Sequence, residues 1–594
     1  MSNYVFVPPL DGSGLTLDAL RTTVIADARA RYRRARGDTV TYAAALTGGD
    51  GRTRDQLARL DVSVTETPAL DRDPQARAWA QWLFLRLRAR RAIEQPEPDG
   101  PYVLRLARYL TQNYQGLQEL DAWSDRAREW QGAVVQPIEG VELHAQGIDG
   151  TDLDVFTEHG DRVSQATLVA LSPEHPDLER WVRSPQARQE LQQARTDPSR
   201  VVATGLFAWV PSVEKLLPVA IAHSVHDRVG ATALLVIPKA DRRDASLHDG
   251  YAGPTTTSYN YRGKRSKPRA AARFVTPDRP LSAADGAGAG GGVPVPLLHC
   301  EDCGTVAAPL DRLPIEHDDA GDVHCPDCGG VARPDGGTLD HQLLHALSWL
   351  VPIAPPGTPP EPSGDTITLI ASAPTASAVH DMRTVGKALQ ELGTLGDGEP
   401  FERAFVHEPV DAGDAAPDLD ALLTDAGADA LRLAILHEAA ASRRLTWSDA
   451  TLTFARRFLQ RLTEFATPRL ADRGHLDLNA SRRRDTPALL RLDRWVDVAT
   501  IKITENLETL DLHRATRNLQ ALLDRVEDFE TRPGAEADAD GDAVAIALLV
   551  LVKLASPLAP ATAQDLWERA GQAGTVADAP WPAANAERAQ ATPA

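Results

Sequence analysis

Cys300, Cys303, Cys325 and Cys328 are the only cysteines of the 594-residue chain. They form two C-x-x-C pairs, "CEDC" and "CPDC", 21 residues apart and each followed by glycine. Four thiolates in that spacing suit one tetrahedral Zn²⁺, and the pattern is one of metal ligation and not of disulfides. In such a pair the backbone N–H groups of a tight turn point at the sulfurs, and Gly304 and Gly329 suit the left-handed angles the turn wants. With all four positions filled by protein, the site is expected to be structural: it folds its own ribbon and leaves no place for a substrate.

A second stretch with chemical potential is "GSGLTLDALR", residues 12–21. A strand "YVFVPP", a Gly-rich turn and a helix over residues 15–37 closed by Gly37 make a Rossmann-type opening, in which a helix N-terminus can face phosphates. The turn carries neither histidine nor lysine, and the first histidine of the chain is His144.

These residues need a scaffold, and the rest of the chain supplies several kinds. Residues 74–130 read as helical, with Trp79, Trp82, Leu83 and Leu85 spaced for a core. From about 140 the texture changes to short β-rich runs such as "ATLVALSP" and "ATALLVIP". Residues 256–292 are basic and then Gly-rich, as a linker would be. From 427 amphipathic helices dominate, which predicts a helical bundle. The fold class is therefore multidomain α/β, with a β-rich insertion and a C-terminal helical bundle.

Composition bounds the setting. The chain has 83 acidic and 63 basic residues, a formal charge of −20, and only seven of its basic residues are lysine. Many aspartates with almost no lysine suggest adaptation to high salt, where a hydrated acidic surface maintains solubility. No run of about 18 apolar residues and no signal-peptide pattern is present, so a cytoplasmic location is expected, with neither membrane nor DNA as partner.

At "PVPLLHCEDCGTVAAPLDRLPI" the chain resembles the zinc-ribbon start of bacterial-type leucyl-tRNA synthetases, which belong to the class I aminoacyl-tRNA synthetases. Further segments follow in collinear order. "VFTEHGDRVSQATLVALSPEHP" (155–176), "TGLFA" (204–208) and "VIPKADRRD" (236–244) resemble parts of that family's editing domain. "EPFERAFVHEPV" and "GADALRLAIL" resemble the flanks of its second catalytic signature. "LTWSDATLTFARRFLQRL", "LASPLAPATAQDLWERAG" and "APWP" resemble its anticodon-binding domain. The resemblance implies a Rossmann-like core in two halves (1–140 and 339–426), an editing-like β-rich insertion (141–255), the linker, a zinc ribbon (293–338), a helical anticodon-binding-like domain (427–585) and a tail (586–594).

Members of the family activate leucine with ATP and Mg²⁺ through a His-x-Gly-His turn and a Lys-Met-Ser-Lys-Ser loop. Here the first falls on Thr16, Leu17, Asp18 and Ala19: both histidines are replaced, and Asp18 would repel phosphates. The second should lie between Val410 and Gly427, where "DAGDAAPDLDALLTDA" contains neither lysine nor arginine, and there is no lysine from 388 to 501. Two further family segments correspond to "AGAGGG" (287–292) and to about Ile370–Pro374 and are also erased. The expectation is a catalytically degenerate paralogue acting by binding tRNA or a protein partner.

Two alternatives compete with it: an active leucine–tRNA ligase, and a trans-acting hydrolase of mischarged tRNA. For the latter the family's Thr-Thr-Arg-Pro-Asp-Thr stretch becomes Thr157 to Arg162, with Thr157 and Asp161 matching. Asp244 matches an aspartate that holds the substrate amino group, with Asp241 and Arg243 kept beside it; a salt-bridged surface turn is the simpler reading. Candidate RNA contacts are Tyr259, Tyr261, Arg262, Lys264, Arg265, Lys267, Arg269 and Arg273 in the linker, and Arg482, Arg483 and Arg484 before a bundle helix. A disordered loop that balances an acidic surface is the simpler reading of the linker residues, and the runs "RARYRRARG" and "RLRARR" read as solvated helix faces.

Overall fold

The computed structural model describes residues 2–590 apart from 50, 91, 96–99, 101, 105–106, 135–137, 149, 174, 176, 195–199, 223–224, 226–232, 255–266, 274–278, 281, 284–291, 318–322, 359–365, 414–416, 472–474, 479–485 and 532–536. The chain forms two compact units: Met1–Tyr102 with Gly116–Val134 and Leu281–Ala594, and Val103–Gln115 with Val135–Pro280.

In the first unit β1 (Ser2–Asp11), α1 (Leu17–Ala35) and β2 (Thr39–Thr47) make a βαβ unit. Tyr4, Val5, Phe6 and Val7 of β1 are all buried, as befits a strand covered on both faces. Thr16 caps α1, its hydroxyl accepting from Ala19 N at 3.1 Å, and Gly37 follows the last turn at φ +90°. After α2 (Arg52–Arg59), the sheet is completed far along the chain by β3 (Thr366–Ser372) and β4 (Arg403–His407). The order is β2-β1-β3-β4 and every pairing is parallel, with Asn3 opposite Thr366 and Thr368 opposite Arg403.

The bundle follows: α3 (Leu419–Ala426), α4 (Ala428–His437), α5 (Asp449–Leu470), α6 (Pro487–Glu508), α7 (Leu512–Glu530), α8 (Ala537–Ala555) and α9 (Pro560–Arg569). One hydrophobic core runs from β1 and α1 through α4 to α9. Its centre is α8, buried from Ala543 to Ala555 and apolar there except for Lys553, whose Nζ donates to the Val576 and Ala577 carbonyls, the mark of a stretch with no solvent face. No helix among the described residues is long and apolar enough to cross a membrane.

The second unit is built on strands 138–147, 152–157, 233–236, 168–171, 215–222 and 201–210. The last of these pairs back to the first, with Gln146 opposite Trp209, so the six close into a ring around an apolar core that includes Leu143, Val155, Val169, Val219 and Leu235.

Three expectations are corrected. Residues 74–130 are not continuously helical: helices cover Pro74–Ala89, Ala107–Gly116 and Asp125–Val134, and the interruption holds Pro96, Pro98 and Pro101, which cannot continue a helix. The linker contains a strand, Arg269–Arg273, paired antiparallel with 138–147. The run "RARYRRARG" is not a solvated face, for Arg29, Tyr32 and Arg33 all bond Glu508 at the end of α6 and Arg31 bonds Asp27.

Candidate functional site

Beyond β1, the first glycine of "GSG" is consumed by backbone packing. Gly12 N donates to Thr47 O at 2.8 Å, and Thr53 N to Gly12 O at 3.2 Å. A Cβ on Gly12 would lie 2.2 Å from Gly48 O, and one on Gly49 would lie 2.1 Å from the Gly12 carbonyl carbon. The turn is therefore locked against Gly48 and Gly49.

Beside it is a cavity of about 400 Å³, lined by Ser13, Thr16, Asp18, Arg52, Gln56 and Asp418 among others. Thr16 is engaged as the α1 cap, Ala19 is the donor it bonds, and Asp18 Oδ1 accepts from Val410 N at 3.2 Å. Across the cavity, the acidic stretch after Val410 becomes α3, with Asp418 as its N-cap. Arg52 Nε donates to Asp420 Oδ2 at 2.7 Å and Nη2 to Asp418 Oδ1 at 2.8 Å. Arg59 Nη1 reaches Asp420 at 2.6 Å and Gln56 Nε2 reaches it at 3.1 Å. The Arg52 hydrogen bond holds the Asp420 carboxyl below its ordinary range. The only cation among the described residues of the lining, Arg52, is thus already paired. Sequence reasoning missed this latch. Its signal was the arginines at 52 and 59, on one face of α2, set against the aspartates at 418 and 420 of an otherwise unassigned acidic run.

In the second unit, Thr157, Asp241 and Asp244 come together. His159 Nε2 lies 3.0 Å from Asp241 Oδ2, and His159 N donates to Thr157 Oγ1 at 3.2 Å. Asp241 also caps the helix Arg242–Asp249 by accepting from Asp244 N at 2.8 Å, while buried Asp244 accepts from Ile237 N at 2.7 Å. Each carboxylate therefore gives one oxygen to a backbone N–H, and the other oxygen of Asp241 faces His159. The space they line is about 10 Å³, room for about one water. Asp161 stands outside it, exposed beside Arg162, and Arg243 is carried on the same helix as Asp244. His159, which sequence reasoning passed over, replaces an arginine of the resembled motif and supplies the contact to Asp241.

The four cysteines converge, their Sγ atoms all within 4.8 Å of one another, so they can hold a metal ion. Cys300 and Cys328 Sγ are 3.5 Å apart, close to the ~3.8 Å edge of a tetrahedron with 2.3 Å arms. Strands 297–300, 304–307 and 332–334 carry the pairs over a small core of Leu298, Ala308, Ile315 and Ala332. Gly304 and Gly329 stand at φ +73° and +74°, the left-handed angles expected.

Of the RNA-contact candidates, Tyr259, Tyr261, Arg262, Lys264, Arg265, Arg482, Arg483 and Arg484 lie outside the described residues. Lys267 is exposed, and Arg269 is paired with Glu142 at 3.2 Å. Arg273 ends the added strand.

Residues 129–274 match the family model "Leucyl-tRNA synthetase, editing domain", and residues 496–593 match "Anticodon-binding domain of tRNA ligase". The leucine–tRNA ligase of Halobacterium salinarum is 25% identical over 97% of this chain and 78% of its own length. That of Halorhodospira halophila is 24% identical over 90% and 79%. In fold, the Agrobacterium radiobacter K84 LeuRS–tRNA–LeuAMS ternary complex is similar at a TM-score of 0.78 and 19% identity, covering 99% of this chain and 88% of that one. Mycobacterium tuberculosis methionyl-tRNA synthetase with methionyl-adenylate gives a TM-score of 0.54 at 11% identity, over 96% and 94%.

Proposed function

The chain is a homologue of the leucyl-tRNA synthetases over nearly its whole length, and from that premise we propose that it binds tRNA without activating an amino acid. The observation that carries this reading is the latch. Where ATP phosphates would need free cations, the described lining of the cavity offers Asp18 and Asp418, and its one cation is held by Asp418 and Asp420. Phosphates placed there would meet like charge in a partly enclosed space, so the residues do not fit the triphosphate of ATP. Binding RNA makes no such demand, and the bundle matched by the anticodon-binding model is intact in its packing. The relatives named above are leucine–tRNA ligases, and that ordinary activity is the rival reading.

Leucine-dependent ATP–pyrophosphate exchange decides between them. No exchange above background is expected, together with retention of tRNA in a filter-binding assay; robust exchange overturns the proposal. Within the same reading, Cys300, Cys303, Cys325 and Cys328 hold one structural Zn²⁺, whose role is to tie the ribbon together.

A further inference from the structure

A cleft of about 750 Å³ opens elsewhere in the first unit, between the turn after α4 and the corner that joins α6 to α7. One wall is the turn after α4, residues 438–444; a second is the corner between α6 and α7, residues 509–517; the third is the start of the helix Asp125–Val134 with Phe405 and Val406 of β4. Arg126, Arg443, Arg444, Arg514, Arg517 and His513 supply its basic lining, in a protein of net charge −20.

The pairing of these groups decides what the cleft can bind. Arg126 is held by Glu408 and Glu129, Arg514 lies 3.2 Å from Asp511, and Arg444 is 4.0 Å from Asp411. Arg443 and Arg517 are exposed and make no ion pair with any described residue. Among the acids of the lining, Asp125 is paired with Arg128 and Asp511 with Arg514, which leaves Glu438 against two unpaired guanidiniums.

The turn that carries Arg443 is fixed from beneath. Buried Arg21 of α1 donates to the carbonyl oxygens of Ala439 at 3.0 Å, Ala440 at 3.1 Å, Arg443 at 3.2 Å and Glu408 at 2.9 Å. It thereby removes four acceptors that would repel an anion and adds a sixth guanidinium beneath the five of the lining.

We propose that this cleft is a phosphate-binding site, in which Arg443 and Arg517 grip the phosphates of an oligophosphate ligand. Its volume is that of a small-molecule site, and guanidinium forks match phosphate oxygens in pairs. The contrast with the cavity beside "GSG" is one of charge: there the cation is locked by carboxylates, here two cations have no ion-pair partner among the described residues. The proposal goes beyond the tRNA-binding reading and does not depend on it, because a free oligophosphate and an RNA backbone offer the same chemistry.

The test measures inorganic triphosphate by isothermal titration and a leucine tRNA transcript by filter binding. Both use the full chain, the double variant Arg443→Ala/Arg517→Ala, and Arg569→Ala as a control outside the cleft. Circular dichroism checks that each is folded; both cleft arginines are exposed, so folding should persist. A loss of tenfold or more in affinity for either ligand, in the double variant alone, is the expected result, and which ligand responds tells free oligophosphate from RNA. If affinity for neither ligand changes, the site is overturned. Triphosphate binding without tRNA binding would sink the tRNA reading and leave the site standing; tRNA binding indifferent to both arginines, with no arginine-dependent triphosphate binding beside it, would do the reverse.

Discussion

At the scale of single residues, the same amino acids serve different ends from those their motif suggests. Gly12 and Gly49 are glycine because two backbones touch, and Thr16 and Asp18 are occupied as a helix cap and as an acceptor for Val410 N. Gly12→Ala is therefore expected to destabilise by about 1–3 kcal/mol, an overpacking cost with no side chain free to yield, read as a lowered melting temperature. Restoring the family's pair with Thr16→His/Ala19→His should leave ATP–pyrophosphate exchange at background, since the paired Arg52 and the carboxylates around it remain. Loss of the Thr16 cap should also cost about 1 kcal/mol. Recovery of exchange in that variant would show that the histidines alone were missing. Buried His407 of β4 gives a pH expectation. Burial, with Arg21 nearby, pushes its pKa down to about 3, and it is held by Thr22 and the Glu408 carbonyl. A histidine whose folded pKa is depressed contributes fully above its unfolded pKa of about 6.5 and loses that contribution as pH falls toward 3. Melting temperature should accordingly drop between pH 6.5 and 4, and less steeply in His407→Gln. A slope equal to that of the native chain would refute the assignment. His437, lowered to about 4 by burial and by His513, adds to the same slope, so the variant flattens it without abolishing it.

At the scale of elements, most of what the sequence predicts is local and most of what it misses is a pairing across hundreds of residues. The strand, turn and helix at the start, the closing glycine, and the buried Trp79, Trp82, Leu83 and Leu85 follow from periodicity and capping, which a short window contains. The latch joins positions 52 and 59 to 418 and 420, and Arg432 Nη2 meets Asp27 Oδ2 at 2.6 Å in full burial; no local pattern encodes either. The reading of "RARYRRARG" as a solvated face failed for the same reason, because Glu508 lies 475 residues from Arg33, whereas Arg86 and Arg90 of "RLRARR" are exposed as expected. The ribbon is the opposite case, with spacing, glycines and geometry agreeing. One zinc per chain is expected by elemental analysis, falling to none in Cys325→Ser, with loss of order confined to the ribbon. Gly329→Ala puts a side chain at φ +74° with open space around it, so its cost is backbone strain of about 1 kcal/mol, measurable as weaker metal retention against a chelator. Retention equal to the native chain would mean the turn relaxes freely.

At the scale of the whole molecule, charge sets the conditions under which any of these experiments works. Eighty-three carboxylates against sixty-three basic groups leave −20, and the basic groups are nearly all arginine. Many of the arginines already lie in ion pairs, as at Arg461 with Glu527 and Asp524 or Arg469 with Glu530. Adding salt screens the exposed pairs, each worth about 0–1 kcal/mol, and so removes some stability. It also screens the mutual repulsion of the excess carboxylates, which acts over the whole surface and falls away once the Debye length shrinks from about 10 Å at 0.1 M to about 3 Å at 1 M. The two effects oppose, and the excess of unpaired negative charge decides for the second. Melting temperature is therefore expected to rise from 0.1 to 2 M KCl, followed by circular dichroism, and a flat or falling curve would show that paired charges dominate instead. The same screening weakens phosphate contacts, so triphosphate binding should be measured at the lowest salt at which the chain stays folded. An affinity that falls steeply as KCl rises would then report the arginines of the cleft and not an apolar contact.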